Sequence, residues 1–355
     1  MEFRIGKRPV GFQHPTYFIA DIAANHDGDL ERAKQLIKLA QQAGADAAKF
    51  QNFRAPKIVS EYGFGHMDSQ VSHQASWKRS VFEVYQGASL PFEWTPILKA
   101  ECDAVGIEYF TSPYDYEAIE HVAPFVPAFK IGSGEIDWLE ALEHMASKGK
   151  PILLATGASD IADVQRAVHA ILRVNSDLVL MQCNTNYTAS AENFDHIHLN
   201  VLKTYAVMFP NVVLGLSDHT HGNATVLGAV AMGARVVERH FTDDNGREGP
   251  DHKFALNPVD WAHMVEETRQ LERALGSSDK FIAGNEQETK TVQRRCLRAA
   301  RNIRADEVLD RGMIDVLRPA TPGAIRPDEL QAAIGCRVLR QIRMGQELRW
   351  TDLGA

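Results

Sequence analysis

The chain has 355 residues, 45% of them hydrophobic, enough for one α/β barrel of about 250 residues plus a small second module. No apolar run reaches the about 18 residues of a membrane span, and the basic start at Arg4, Lys7 and Arg8 leads into no signal-like apolar segment, so a cytoplasmic protein is expected. The net charge of −8 divides unevenly: residues 290–355 carry thirteen Lys and Arg against eight Asp and Glu, a net +5 that leaves −13 for the rest. Those basic residues are interspersed with acids and lack aromatic interleaving, which argues against nucleic acid and for a contact with the acidic body or a cover over an anionic substrate.

Apolar, strand-like runs alternate with amphipathic helical ones along the first 275 residues. Strands are expected at Tyr17–Ala23, Ala45–Gln51, Ile107–Thr111, Ala128–Ile131, Pro151–Ala155, Leu178–Cys183, Val212–Leu216 and Arg235–Phe241. Helices are expected at Leu30–Ala43, Phe92–Val105, Tyr116–Val122, Trp138–Lys148, Ile161–Arg173, Leu199–Met208, Asn223–Met232 and Pro258–Leu275. Eight such units predict a (β/α)8 TIM barrel over residues 1–275; a doubly wound open sheet is the alternative, disfavoured by the lack of a GxGxxG turn. The connection Asn52–Ser89, with His66, His73, Trp77, Lys78 and Arg79, is far longer than an ordinary βα loop and is expected to cover or shape a site. Residues 276–293 are polar and read as a linker. Short strand-like pieces at 294–355, such as CLRAARNI, MIDVLRP and CRVLRQI, predict a compact, mostly β module. Cys102, Cys183, Cys296 and Cys336 are widely separated, which excludes a CxxC zinc site and a disulfide framework.

A barrel of this kind puts its chemistry at the carboxyl ends of its strands. The polar groups standing there are Asp21 to Asn25, Lys49 and Gln51, Thr111, Lys130 to Glu135, Asn184 to Tyr187, Ser217 to His219, and His240. Lys49 and Lys130 each end an apolar strand. A buried ammonium needs an anion, so the pair points to a phosphate or carboxylate ligand, the alternative for either being a salt bridge to a neighbouring strand. Thr111, Ser112, Ser133 and Thr156 are candidate hydroxyl donors to that anion. His219 and His240 end adjacent strands about 5 Å apart and suit one divalent cation, Mn2+ first, with Mg2+ and Co2+ as alternatives. Glu135 follows Ser133 closely and is read either as a proton-transfer group or as a carboxylate at a helix start. Asp251 lies in a Gly/Pro loop, and His66, His221 and His252 read as loop residues.

The segments ADIAANHDGDLERA, GADAAKFQ, FKIGSGEIDWLEAL, LATG, CNTNY, GLSDHT, GARVVERHFT and GPDHKFALNP resemble those of the sialic acid synthase family. DVLRPATPGAIRPDEL and GCRVLRQIRMGQEL resemble the antifreeze-like SAF domain that ends those enzymes, so the resemblance spans about Thr16 to Leu353. It implies condensation of phosphoenolpyruvate with an N-acetylated hexosamine in its open aldehyde form. C3 of phosphoenolpyruvate attacks the aldehyde, water adds at C2, and phosphate leaves by C–O cleavage. It further implies a cation on His219 and His240 that polarises the aldehyde oxygen. Lys49, Thr111, Lys130, Ser133 and Ser217 match phosphoenolpyruvate contacts, with Asn184 or Thr185 facing the ligand. Glu135, Gln51, Tyr187 and Asp251 match sugar-side contacts, Asp21 stands where many relatives carry glutamate, and Arg318 matches an arginine offered to the sugar N-acetyl group across a domain-swapped homodimer. Ala155-Thr156-Gly157 replaces the common STG, which removes or moves one phosphate hydroxyl. N-acetylmannosamine is the first candidate sugar, with the 2,4-diacetamido hexoses of legionaminate or pseudaminate synthesis as alternatives. A phosphoenolpyruvate aldol synthase for a phosphorylated sugar and a non-catalytic carbohydrate-binding barrel are the remaining alternatives.

Overall fold

The computed structural model describes residues 2–67, 74, 77–188 and 190–354, so His73 of the long connection lies outside the described residues. The chain forms two compact units, Met1–Gly276 and Ser277–Ala355.

The first unit opens with an antiparallel hairpin, β1 (Glu2–Ile5) and β2 (Arg8–Gly11), for which the sequence pattern gave no expectation. The barrel strands follow: β3 (Tyr17–Asp21), β4 (Ala47–Asn52), β5 (Glu108–Pro113), β6 (Phe129–Ile131), β7 (Ile152–Ala155), β8 (Leu178–Cys183), β9 (Val213–Asp218) and β10 (Ala234–His240). They form a single parallel sheet in the order β5-β4-β3-β10-β9-β8-β7-β6, and the end strands β5 and β6 lie side by side, closing it. This is the expected eight-stranded barrel. Three strands end two residues away from expectation, β9 among them at Asp218 instead of Leu216. β3 stops at Asp21 because Ala23 takes a positive φ of 46°, and β5 runs two residues further, to Pro113.

Helix α1 (Leu30–Gln42) starts at Asp29, whose carboxylate accepts from the Glu31 and Arg32 amides, and buries Ala33, Leu36, Ile37 and Ala40 at helical spacing. The long connection after β4 contains α2 (Ala55–Ile58), α3 (Glu61–Gly65) and α4 (Val81–Ala88) before α5 (Trp94–Val105) is reached. Around the rest of the barrel run α6 (Tyr116–Val122), α7 (Leu139–Ala146), α8 (Ile161–Leu172), α9 (Val201–Met208), α10 (Ala224–Ala231) and α11 (Pro258–Leu275). Among the described residues no helix is long and apolar enough to cross a membrane.

Two apolar layers hold the barrel. One lies between strands and helices and includes Phe18, Ala48, Phe50, Tyr109, Leu154 and Val237. The other fills the barrel's amino-terminal half with Tyr17, Ile19, Ala47, Phe110, Ala128, Leu153, Val179, Met181, Val213 and Val236, against which Phe3, Ile5 and Val10 of the hairpin pack. That inner layer fixes the phase of every strand, since residues two positions further on point into the same interior.

In the second unit the stretch expected to be a bare linker contains α12 (Gln287–Gln293), a helix without a buried residue and therefore without apolar periodicity. Two short antiparallel pairs follow, β11 (Cys296–Ala299) with β12 (Ile314–Leu317), and β13 (Arg337–Val338) with β14 (Leu353–Gly354), flanking α13 (Leu330–Ala333). Leu297, Ile303, Leu309, Ile314, Ile325, Val338, Ile342 and Leu348 form its own core.

Candidate active site

Two residues beyond the inner apolar layer, the barrel interior turns polar. Ile19 is followed by Asp21, Ala47 by Lys49 and Gln51, Phe110 by Ser112, Ala128 by Lys130, Leu153 by Ala155, Met181 by Cys183, Val213 by Gly215 and then Ser217, and Val236 by Glu238 and His240. Together with Tyr114, Gly132, Ser133, Tyr187 and His219, these side chains line one pit at the carboxyl end of the strands. The strand register sets Asp21 beside both Lys49 and His240, and Glu238 beside Ser217.

The same alternation corrects part of the expected site. Thr111 falls on the opposite face of β5 and donates to Asn52 Oδ1 at 2.6 Å, so Ser112 is the hydroxyl that faces the pit. Thr156 does not replace the hydroxyl lost at Ala155. It is buried, donates to the Met181 carbonyl at 3.0 Å and accepts from the Tyr205 hydroxyl. Asn184 is likewise out of phase: its amide donates to the His196 carbonyl, and neither it nor Thr185 lines the pit. Arg318 is exposed in the second unit.

Both lysines are buried and both are paired. Lys49 bonds Asp21 and lies 3.7 Å from Glu238, while Lys130 lies 2.9 Å from Glu238. Glu238, absent from the expected site, is thus the shared counter-ion; its place two residues before His240 on β10 is the signal that would have found it. Burial raises the Glu238 carboxyl, but the ammonium groups of Lys130 and Lys49 outweigh that and hold it well below the usual range. Burial likewise lowers the Lys130 ammonium, and Glu238 more than reverses it. Two cations and two carboxylates balance in the pit, and each ammonium has three donors, so Lys49 can meet an anion without leaving Asp21, and Lys130 without leaving Glu238.

His219 and His240 stand with ring centroids 5.4 Å apart, flanked by Tyr187 and Phe254. The Asn184 carbonyl, 2.9 Å from His219 Nδ1, can only accept, so Nδ1 carries the proton and Nε2 presents its lone pair. Burial first, then the neighbouring positive groups, pushes His219 down to about 4 and His240 to about 3, so both rings are neutral at pH 7. His240 Nδ1 is buried with no hydrogen-bond partner. No cluster of three or more His, Cys, Asp or Glu is placed to hold an ion among the described residues. Two neutral imidazoles would hold a divalent cation here only with oxygens of water or substrate completing its coordination.

Glu135 and Asp251 stand further out. Gly132 lets the Glu135 side chain fold back, since a Cβ there would meet Glu135 Oε2 at 2.6 Å and the Tyr114 hydroxyl at 3.4 Å. Asp251 accepts from the Ala24 amide at 3.1 Å. His252, expected to be a plain loop residue, is fully buried with Nδ1 2.7 Å from Thr242 Oγ1 and Nε2 3.0 Å from Asp27, which ties the Asp251 loop to the first βα loop.

The sequence pattern of the NeuB family matches residues 36–280, and that of the SAF domain matches residues 294–354. The chain belongs to the NeuB family. It is 33% identical to an uncharacterised protein of Methanocaldococcus jannaschii, over 99% of this chain and 98% of that one. It is 31% identical to the N,N'-diacetyllegionaminic acid synthase of Legionella pneumophila, over 99% and 98%. It is also 31% identical to the human N-acetylneuraminate-9-phosphate synthase, over 94% and 91%. Among solved structures, the spore coat polysaccharide biosynthesis protein E of Bacillus subtilis superposes with a TM-score of 0.66 at 29% identity, covering 100% and 99% of the two chains. The N-acetylneuraminic acid synthetase of Leptospira borgpetersenii gives 0.71 at 26%, covering 81% and 95%. This NeuB-family chain is therefore an enzyme of the nonulosonic acid synthase class.

In this NeuB-family enzyme, burial pushes the Glu135 carboxyl from its ordinary 4.5 up to about 7, against the pull of Lys130, and pushes Asp251 from 3.8 up to about 7, helped by Asp21. A folded-state value above the unfolded one means stability fully present below the ordinary carboxyl range and lost as pH rises through about 7. In the wild type this loss is opposed by the lowered His219 and His240, so the test is the difference: between pH 5 and pH 8 the Tm of Glu135→Gln should fall less, or rise more, than that of the wild type. The same variant should lower kcat by about a hundredfold if Glu135 moves a proton. An unchanged kcat reduces it to a carboxylate at a helix start.

Proposed function

We propose that the enzyme condenses phosphoenolpyruvate with an N-acetylated hexosamine, N-acetylmannosamine being the first candidate, to give a nine-carbon 2-keto acid and phosphate. The observation that carries this reading is the convergence of two charged lysines and two neutral histidines on one pit, with Glu238 between the lysines. Lys49 and Lys130 would bind the phosphate and carboxylate of phosphoenolpyruvate, with Ser112, Ser133 and Ser217 adding hydroxyl donors. C3 attacks the aldehyde carbon of the open sugar, water adds at C2, and phosphate leaves by C–O cleavage. A divalent cation on His219 and His240, Mn2+ before Mg2+ or Co2+, would supply Lewis acidity toward the aldehyde oxygen. Glu135 holds or takes a proton at the sugar side, where Gln51, Tyr187 and Asp251 would orient the hydroxyl groups, and Asp21 fixes Lys49.

A panel of N-acetylmannosamine, 2,4-diacetamido hexoses, a 6-phosphorylated hexosamine and mannose, each with phosphoenolpyruvate and Mn2+, tests the proposal by product mass. A product equal to hexosamine plus the pyruvyl unit supports it and names the sugar. Sugar binding without a product would favour a carbohydrate-binding barrel instead. Equal identity to the legionaminic and the neuraminic phosphate enzymes leaves the ranking of sugars to that panel.

We further propose that Arg318 acts on the sugar N-acetyl group in the site of a partner subunit of a homodimer, its planar guanidinium bonding the amide carbonyl. Mixing Arg318→Ala with His240→Ala chains should regenerate about one intact site per heterodimer. Verified heterodimers with no recovered activity would contradict this. Four free cysteines suit a reducing cytoplasm as its location.

A further inference from the structure

The long excursion between β4 and α5 packs an aromatic ring, through Phe53, against the pit-lining Tyr114. Tyr85 sits on α4, which is pinned in place: Ser80 and Glu83 cap it reciprocally, Val81 and Val84 are buried, and Ser89 Oγ donates to the Tyr85 carbonyl at 2.9 Å. The Tyr85 ring packs 5.4 Å from Phe53 and 6.5 Å from Trp77. Phe53 in turn meets Tyr114 edge to face at 5.8 Å, and Tyr114 lines the pit. Burial raises the Tyr85 hydroxyl, and the Asp251 and Glu135 carboxyls raise it further. The same phenol also bears electrostatically on Tyr114 and Tyr187. Those four residues follow β10, β6, β5 and β8, on different sides of the barrel. Through Phe53 and Tyr114 the Tyr85 ring is packed onto the pit wall, and its hydroxyl is felt electrostatically by groups around the mouth.

We propose that Tyr85 is a specificity-determining residue for the sugar, its hydroxyl bonding the hexosamine while its ring, with Phe53 and Trp77, walls the space open to the sugar's substituents. This role presupposes the condensation proposed for the barrel. The occupant is the sugar and not phosphoenolpyruvate because the lysines that suit an anion lie deeper, while Asp251 and Glu135 at the level of Tyr85 repel one when ionised. A neutral polyol fits there. A phenol both donates and accepts, so it serves a sugar hydroxyl or an acetamido carbonyl equally.

Steady-state kinetics of Tyr85→Phe and Tyr85→Leu, varying each substrate separately over the same sugar panel, test the role. Tyr85→Phe should raise the sugar KM about five- to tenfold, the worth of one such bond, with the phosphoenolpyruvate KM within about twofold of wild type. Tyr85→Leu should also change the ratio of kcat/KM between mono- and diacetamido hexoses by about threefold or more. An unchanged sugar KM and sugar ratio in both variants overturns the proposal, as does a phosphoenolpyruvate KM that rises in step with the sugar KM. Should the leucine variant fail to fold, the phenylalanine variant decides alone. Wild-type turnover with unaffected variants removes the Tyr85 role only; a wild type that neither binds nor turns over any sugar removes the condensation as well.

Discussion

Lys130→Ala should lose phosphoenolpyruvate and stability together. Lys130 lies 2.9 Å from Glu238, and both are buried, so truncating the lysine removes the proposed donor to phosphoenolpyruvate and strands a carboxylate. The lost charge-assisted contact should raise the phosphoenolpyruvate KM by about tenfold or more. Breaking a buried pair by removing one partner costs about 3–5 kcal/mol, which for a unit of this size lowers Tm by about 10 °C. Lys49, 3.7 Å away, can neutralise part of the stranded charge, which puts the loss toward the lower end of that range. The double variant Lys130→Met with Glu238→Gln separates the two effects, because it removes the orphan carboxylate without restoring the ammonium. Its Tm should recover while its phosphoenolpyruvate KM stays high. Wild-type phosphoenolpyruvate saturation in Lys130→Ala would show that the lysine serves only Glu238.

His219→Ala and His240→Ala should each lower turnover by about a thousandfold or more, because Lewis-acid stabilisation of developing charge is worth several kcal/mol. Each ring is held by its own strand end, His240 by β10 and His219 just past β9, so either can be removed while the barrel layers below stay packed. Circular dichroism should remain that of the wild type, and calorimetric titration with Mn2+ should lose its heat in both variants. His219 has a further lever. Its Nδ1 is committed to the Asn184 carbonyl, so His219→Gln, which has no ring to orient, should rescue neither binding nor turnover. Full activity in a metal-stripped His240→Ala enzyme would remove the cation from the account.

The architecture could be read from the sequence because parallel strands buried on both faces appear as short apolar runs between amphipathic helices. The hairpin β1–β2 escaped because two four-residue strands with charged outer positions lack the length of a periodic signal. At the site, most of the polar residues expected at the strand ends line one pit, but the phase of Thr111 and Asn184 was not legible in the sequence. Thr111 and Ser112 are adjacent hydroxyls, and only the inward position of Phe110 decides that Ser112 faces the pit. Glu238 was passed over because a glutamate within a strand looks like a surface position until the histidine two residues later is known to point inward. Tyr85 lies in a connection where no periodicity links sequence to place, and its link to the pit-lining Tyr114 follows only from the packing of Phe53 between them.

The most direct measurement is phosphate release from phosphoenolpyruvate by the purified, metal-stripped enzyme, with hexosamine and Mn2+ added singly and together. Release should appear only when both are present, and should stop again on chelation and in His240→Ala. Phosphate released from phosphoenolpyruvate alone, or undiminished in the absence of the cation, would contradict a condensation built on the lysine pair and the two histidines.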